Sequence, residues 1–129
     1  MTHAASDRTK LRSPVALRAF FNIAEKWQLN NSEQMTLLGL SSDSTFYKWK
    51  SNPETAKLDQ DKIERISYIL GIFKDLQTLL SDTAAADSWV KTANNAPLFG
   101  GRSALEVMCQ GRVADLYVVR QYLASERGV

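Results

Sequence analysis

The stretch SEQMTLLGLSSDSTFYKWK, residues 32–50, carries the clearest structural signal in the chain. Met35 and Leu38 stand one turn apart, which predicts a short helix over about Ser32 to Leu38. Gly39 stops it, because glycine enters the left-handed region without steric cost. Leu40 is the apolar plug of the turn, and Ser41 or Ser42 can cap a next helix that runs to about Ser51. Phe46 and Trp49, three apart, face inward on that helix, and Asn52-Pro53 ends it. A short helix, a turn and a second helix with a polar outer face is the plan of a helix-turn-helix, in which the first helix braces the second in the major groove. The outward positions are Ser42, Asp43, Ser44, Thr45, Tyr47, Lys48 and Lys50. Their hydroxyls and ammonium groups suit phosphates and base edges. The same pattern also fits an ordinary helix pair in an α bundle. Leu40 and Phe46 stand one residue further apart than is usual in a helix-turn-helix, which shifts the outward face of the second helix.

Helical signals continue on both sides. Ser13-Pro14 reads as an N-cap followed by proline at the first helical position, where its missing N–H costs nothing. Leu17, Phe20, Phe21, Ala24 and Trp27 then form one apolar face, and Asn30-Asn31 is the expected stop. Downstream, Leu58 to about Leu80 predicts the longest helix, with Asp59, Asp61 and Glu64 as favourable charges at its start. Ile63, Ile66, Leu70 and Phe73 form one stripe on it, and Ile69, Ile72, Leu76 and Leu80 form another beside it. A face this wide requires cover on two sides, by two small subdomains or by one subdomain and a partner chain. Gly71 is expected to weaken it. A further short helix spans Asp82 to about Thr92, Ser103-Ala104-Leu105-Glu106 is a capping box, and the last helix presents Val113, Leu116, Val119 and Leu123. No segment shows strand alternation, so the chain is expected to be all-α.

Composition excludes several classes of function. At 129 residues, with 44% hydrophobic and 23% charged residues, the chain suits one modest core or two very small ones. No apolar run approaches ~18 residues, so no membrane span is expected. Met1 to Arg12 is polar, reads as a flexible arm and lacks a signal core, which points to a cytoplasmic protein. One cysteine, Cys109, excludes an internal disulfide framework and a thiolate zinc cluster. It lies beside Leu105 and Met108 and reads as a buried, inert thiol. One histidine, His3, leaves almost no material for His-based catalysis, so no enzyme, metal or cofactor is expected. Residues 1–57 hold eight Lys and Arg against five Asp and Glu, a net +3, while residues 58–129 balance at −1. The basic excess thus sits in the half that holds the helix-turn-helix.

Two further segments have double readings. Gly100-Gly101-Arg102-Ser103 reads as a tight turn into a capped helix more readily than as an anion site, since no Gly-Lys-Ser/Thr follows. Trp89 to Phe99 gathers Trp, Asn, Pro and Phe in a loop, as recognition surfaces do; the same residues would also close a small core.

The rear half completes a resemblance. Glu64 to Phe73, Ala86 to Val90, Asn94 through Pro97-Leu98-Phe99-Gly100-Gly101-Arg102-Ser103-Ala104-Leu105, Val113 to Leu116 and Val119 to Leu123 together resemble the Xre/MbcA/ParS antitoxins. The resemblance covers about residues 15–128. Behind the arm over 1–12, it implies an Xre-like helix-turn-helix domain over 13–76 and a small helical toxin-binding domain over 77–129. It further implies a RES-domain toxin partner that consumes NAD⁺, operator DNA bound to autoregulate the operon, and no cofactor. Two-fold operators are read by dimers, so a homodimer is also expected. The toxin-facing residues it suggests are Trp89, Asn94, Asn95, Pro97, Phe99, Gly100, Gly101, Arg102 and Arg120, with the tail Glu126, Arg127, Gly128 and Val129 as a plug for the toxin cleft. The alternative is a stand-alone regulator whose rear half dimerises or senses a ligand.

Overall fold

The computed structural model describes residues 13–128; the arm over 1–12, with His3, and Val129 lie outside the described residues. Seven α-helices make up the described chain: α1 Ser13–Lys26, α2 Asn31–Leu38, α3 Asp43–Ser51, α4 Gln60–Leu79, α5 Thr83–Ser88, α6 Ala104–Met108 and α7 Val113–Glu126. Short 3-10 turns follow α3 at Pro53–Thr55 and α5 at Trp89–Lys91. The described residues form no strand; one isolated bridge joins Ala93 and Ser103. No described helix is long and apolar enough to cross a membrane.

The helix boundaries follow from local chemistry, with two changes from expectation. Ser13 lies inside α1, and its hydroxyl accepts the N–H of Leu58 at 3.0 Å, a tertiary tie in place of a cap. The stop of α1 comes earlier than Asn30-Asn31. Gln28 takes the left-handed conformation (φ 55°), with Leu29 N–H bonded to Ala24 O and Gln28 N–H to Glu25 O. This pattern is a Schellman motif with glutamine where glycine is usual. Asn30 instead starts α2: its side chain accepts Glu33 N–H while Glu33 accepts Asn30 N–H. Gly39 ends α2 with a second Schellman motif at φ 70°. Ser42 caps α3, Asp59 caps α4 and the Ser103–Glu106 box caps α6.

The core is continuous. Leu17, Phe20 and Trp27 of the α1 segment, Leu37 and Leu38 of α2, and Phe46 of α3 join Ile66, Ile69, Ile72 and Leu76 of α4. Leu116, Val119 and Leu123 of α7 extend the same cluster. Of the two stripes on α4, these four residues are fully buried, while Ile63, Leu70, Phe73 and Leu80 are half-buried at the flanks. α4 therefore packs against α1 on one side and, most extensively, against α7 on the other. A division at 76/77 falls inside α4, which runs unbroken to Leu79.

Two charged groups on α4 are also buried, and their positions explain two glycines. Asp75 is fully buried; Arg120 and Arg127 of the α7 segment both pair with it, the latter at 2.7 Å. A Cβ on Gly71 would overlap Arg120 Nε, so Gly71 is the gap through which that side chain reaches Asp75. Arg65 bonds Asp61 at 3.0 Å and Gly111 O at 3.1 Å. It also lies against Gly39, whose Cβ would meet Arg65 Nε at 2.8 Å.

The two Schellman positions respond oppositely to exchange. Gln28→Gly is expected to raise the free energy of unfolding by about 1 kcal/mol, by relieving a left-handed side chain. Gly39→Ala is expected to lower it by about 2 kcal/mol, since it adds that strain and a collision with Arg65. Urea unfolding followed by circular dichroism reads both.

Candidate functional site

Two surfaces hold the candidate residues. The first is the outer face of α3. Phe46 and Trp49 are buried, while Ser42, Asp43, Ser44, Tyr47, Lys48 and Lys50 are exposed and Thr45 is half-buried. The Ser42 hydroxyl accepts Thr45 N–H at 3.2 Å and lies 3.1 Å from that of Ser44. Tyr47 lays its ring edge-on to Phe46, and the Lys50 ammonium stands 5.5 Å over the Phe46 ring.

One residue ties this face to the bracing helix. Asn31, the first residue of α2, donates to Tyr47 Oη at 3.2 Å and accepts from Lys50 Nζ at 3.1 Å. It thus holds two polar groups of α3 beside the N-terminus of α2, where backbone N–H groups attract anions. Sequence reasoning took Asn31 for a helix stop. The Asn30-x-x-Glu33 spacing, a capping box, was the signal that places it inside α2.

The second surface is built by α5, the loop from Thr92 to Ser103, α6 and the end of α7. The loop is closed on itself. Asn94 N–H bonds Arg102 O at 3.1 Å, Gly101 N–H bonds Asn94 O at 2.8 Å, and the Asn94 side chain accepts Ala96 N–H at 2.9 Å. Gly100 and Gly101 turn the chain at φ 58° and 91°. Arg102 Nε donates to Phe99 O at 3.1 Å.

The double reading of this loop divides residue by residue. Phe99 is fully buried, edge-on to Trp89 (5.9 Å between centroids) and to Tyr122 (5.1 Å). Trp89, half-buried, stacks on Tyr122. Asn95, Pro97, Gly100, Gly101 and Arg102 are exposed and Asn94 is half-buried. Phe99 and Trp89 thus anchor the loop, and the polar and small residues form its surface.

The tail residues Glu126, Arg127 and Gly128 are exposed, and Val129 lies outside the described residues. Gly128 N–H bonds Ser125 O at 3.0 Å, so the helical turn continues to this point. Arg120 and Arg127 are brought together by Asp75, a partner sequence reasoning missed because 45 and 52 residues separate it from them.

At the start of α7, Asp115 accepts the Arg112 backbone N–H at 3.0 Å and its guanidinium at 2.8 Å. The Arg112 hydrogen bond holds its carboxyl below the usual carboxylate range. Cys109 is half-buried rather than fully buried; burial and then Glu33 push its thiol up to about 11, so it is protonated at neutral pH. Among the described residues no three His, Cys, Asp or Glu side chains form a metal-binding group.

The fold is thus that of a helix-turn-helix protein with a second, small helical unit built on the same long helix. Residues 8–71 match the antitoxin Xre-like helix-turn-helix domain, and residues 75–128 match the antitoxin Xre/MbcA/ParS C-terminal toxin-binding domain. The uncharacterized protein y4oB of Sinorhizobium fredii (strain NBRC 101917 / NGR234) is 47% identical over 117 residues, covering 91% of this chain and 88% of that protein. No solved structure gives a significant match. The chain belongs to the Xre/MbcA/ParS antitoxin family: it is an antitoxin of a toxin–antitoxin pair, and its C-terminal domain binds the toxin.

Substitution separates anchor from surface within the loop. Phe99→Ala is expected to cost about 3–5 kcal/mol of stability, as for other buried phenylalanines. Asn95→Ala, at an exposed site, is expected to stay within about 0.5 kcal/mol of the native chain. Thermal unfolding of the two variants checks the contrast.

Proposed function

We propose that this antitoxin neutralises a RES-domain, NAD⁺-consuming toxin by covering its active-site cleft, and binds operator DNA as a cytoplasmic homodimer to regulate its own operon. The matched toxin-binding domain over 75–128 carries the first part. Its ordered set of Trp89, Asn94, Pro97 and Gly100-Gly101 resembles antitoxins whose toxins carry a RES domain. An NAD⁺ cleft must accept a pyrophosphate and so favours positive charge. A carboxylate at the end of α7 can pair an arginine there in place of the phosphate. With Arg127 held by Asp75, Glu126 is the anionic side chain that the described tail offers. Asn95 and Arg102, exposed, and Asn94, half-buried, are the loop's hydrogen-bonding side chains that fix register.

The exposed hydroxyls and ammonium groups of α3 support the DNA reading. Ser42, Ser44, Thr45, Tyr47, Lys48 and Lys50 line the face that enters the groove, and Asn31 fixes two of them. A two-fold operator is read by a dimer. The chain itself supplies no dinucleotide fingerprint, so the NAD⁺ chemistry belongs to the toxin.

Two measurements test this reading. Lys48→Ala and Lys50→Ala are each expected to weaken binding to the chain's own promoter DNA and to reduce the log–log salt slope by about 0.9. Salt-insensitive or absent binding by the native chain rejects operator recognition. Glu126→Gln, which leaves the Arg127–Asp75 pair in place, is expected to raise NAD⁺ consumption by the toxin in the complex while helical content and DNA affinity stay unchanged. Full inhibition by this variant moves the block from the tail to the loop.

A further inference from the structure

Beside the Asp75 clamp the molecule carries an open groove of about 210 Å³. Buried Leu76 and Leu123 form its floor. Leu79, Leu80, Trp89 and Tyr122, all half-buried, form its walls, and the exposed Glu126 stands at its rim. An apolar cavity of about 150 Å³ accommodates a benzene ring. The groove therefore has room for one large apolar side chain.

Charge narrows the occupant. The two cations of this end of α7, Arg120 and Arg127, are both taken up by Asp75. Glu126 makes no ion pair among the described residues, so the rim presents a carboxylate to whatever enters. The clamp also matters mechanically. Arg127 holds the last turn of α7 against α4, so the wall bearing Tyr122 and the rim bearing Glu126 are in place before binding, which reduces the entropy lost on association. An apolar pocket with aromatic walls and a polar rim is the form that binding hot spots take.

Resting on the antitoxin reading above, we propose that this groove is the primary docking point for the toxin. The occupant is a Leu, Met or Phe side chain of the toxin with a Lys or Arg beside it that meets Glu126. All the lining residues fall within 75–128, the segment that matches the toxin-binding domain, which is why the occupant is the toxin and not a second antitoxin. Docking here seats the toxin next to the end of α7.

The test uses the full chain and the RES-domain protein encoded in the same operon, with affinity read by calorimetry. Leu79→Glu places a carboxylate in the wall, and Glu126→Lys reverses the rim. Each is expected to weaken toxin binding by about tenfold or more. Leu79→Met, which keeps an apolar wall, is expected to bind as the native chain does. Melting curves for Leu79→Met and Glu126→Lys should lie close to native, and the melt of Leu79→Glu, whose position packs partly against the core, sets the temperature below which its binding is read. Native-like affinity in both charged variants overturns the proposal. Loss with Leu79→Glu alone overturns the basic half of the occupant. A native chain that self-associates through the groove, and is made monomeric by Leu79→Glu, overturns the toxin as occupant. A native chain that does not bind the RES-domain protein at all overturns the partner named under the proposed function, an outcome distinct from any variant effect.

Discussion

A helix that is apolar on two adjoining faces has to be covered twice. α4 is that helix, with Ile66, Ile69, Ile72 and Leu76 fully excluded from water. Neither neighbour alone spans such a width. α1 covers one side with Leu17, Phe20 and Trp27, and α7 covers the other with Leu116, Val119 and Leu123. Each buried residue of this size contributes about 1.5–3 kcal/mol of transfer free energy. The helix-turn-helix and the rear unit thus draw on one core, and neither could keep its share of that core without α4.

Polar groups complete the same joint. The carboxylate of Asp75 is buried where water cannot solvate it, and removing either a buried charge or its partner is costly. Two guanidinium groups from the α7 segment answer it, and Gly71 leaves the opening that Arg120 needs. At the other end of α4, Arg65 reaches Gly111 O in the rear unit while lying against the Gly39 turn of the helix-turn-helix. Lys91 after α5 donates to Gln28 O, the strained residue that ends α1. Main-chain turns on both halves are therefore held by side chains from outside them, Gly111 O by Arg65 of α4 and Gln28 O by Lys91 of the rear unit.

The two candidate surfaces are products of that joint. α3 presents its polar face because Phe46 and Trp49 are buried in the core. The rear loop presents Asn95, Pro97 and Arg102 because Phe99 is buried edge-on to Trp89 and Tyr122. In each case a buried aromatic fixes the backbone that carries its exposed neighbours.

Much of this was legible in the residues alone, where the cause acts over one turn of chain. The Ser103–Glu106 box, the Ser42 cap, the Gly39 stop and the inward pair Phe46 and Trp49 each involve groups three or four residues apart, so sequence spacing specifies them. The breadth of the apolar face on α4 likewise announced cover on two sides. The Asn30–Glu33 box lies within the same reach, but asparagine also ends helices, so the residues alone leave the choice between cap and stop open. Only the tertiary structure decided that Arg120 and Arg127 turn toward Asp75, that Gly71 is a passage for Arg120, that Phe99 is core while Asn95 is surface, and that a groove opens beside Glu126. Those outcomes depend on which helices become neighbours, and residues 45 or 52 apart in the chain meet only after the helices have packed.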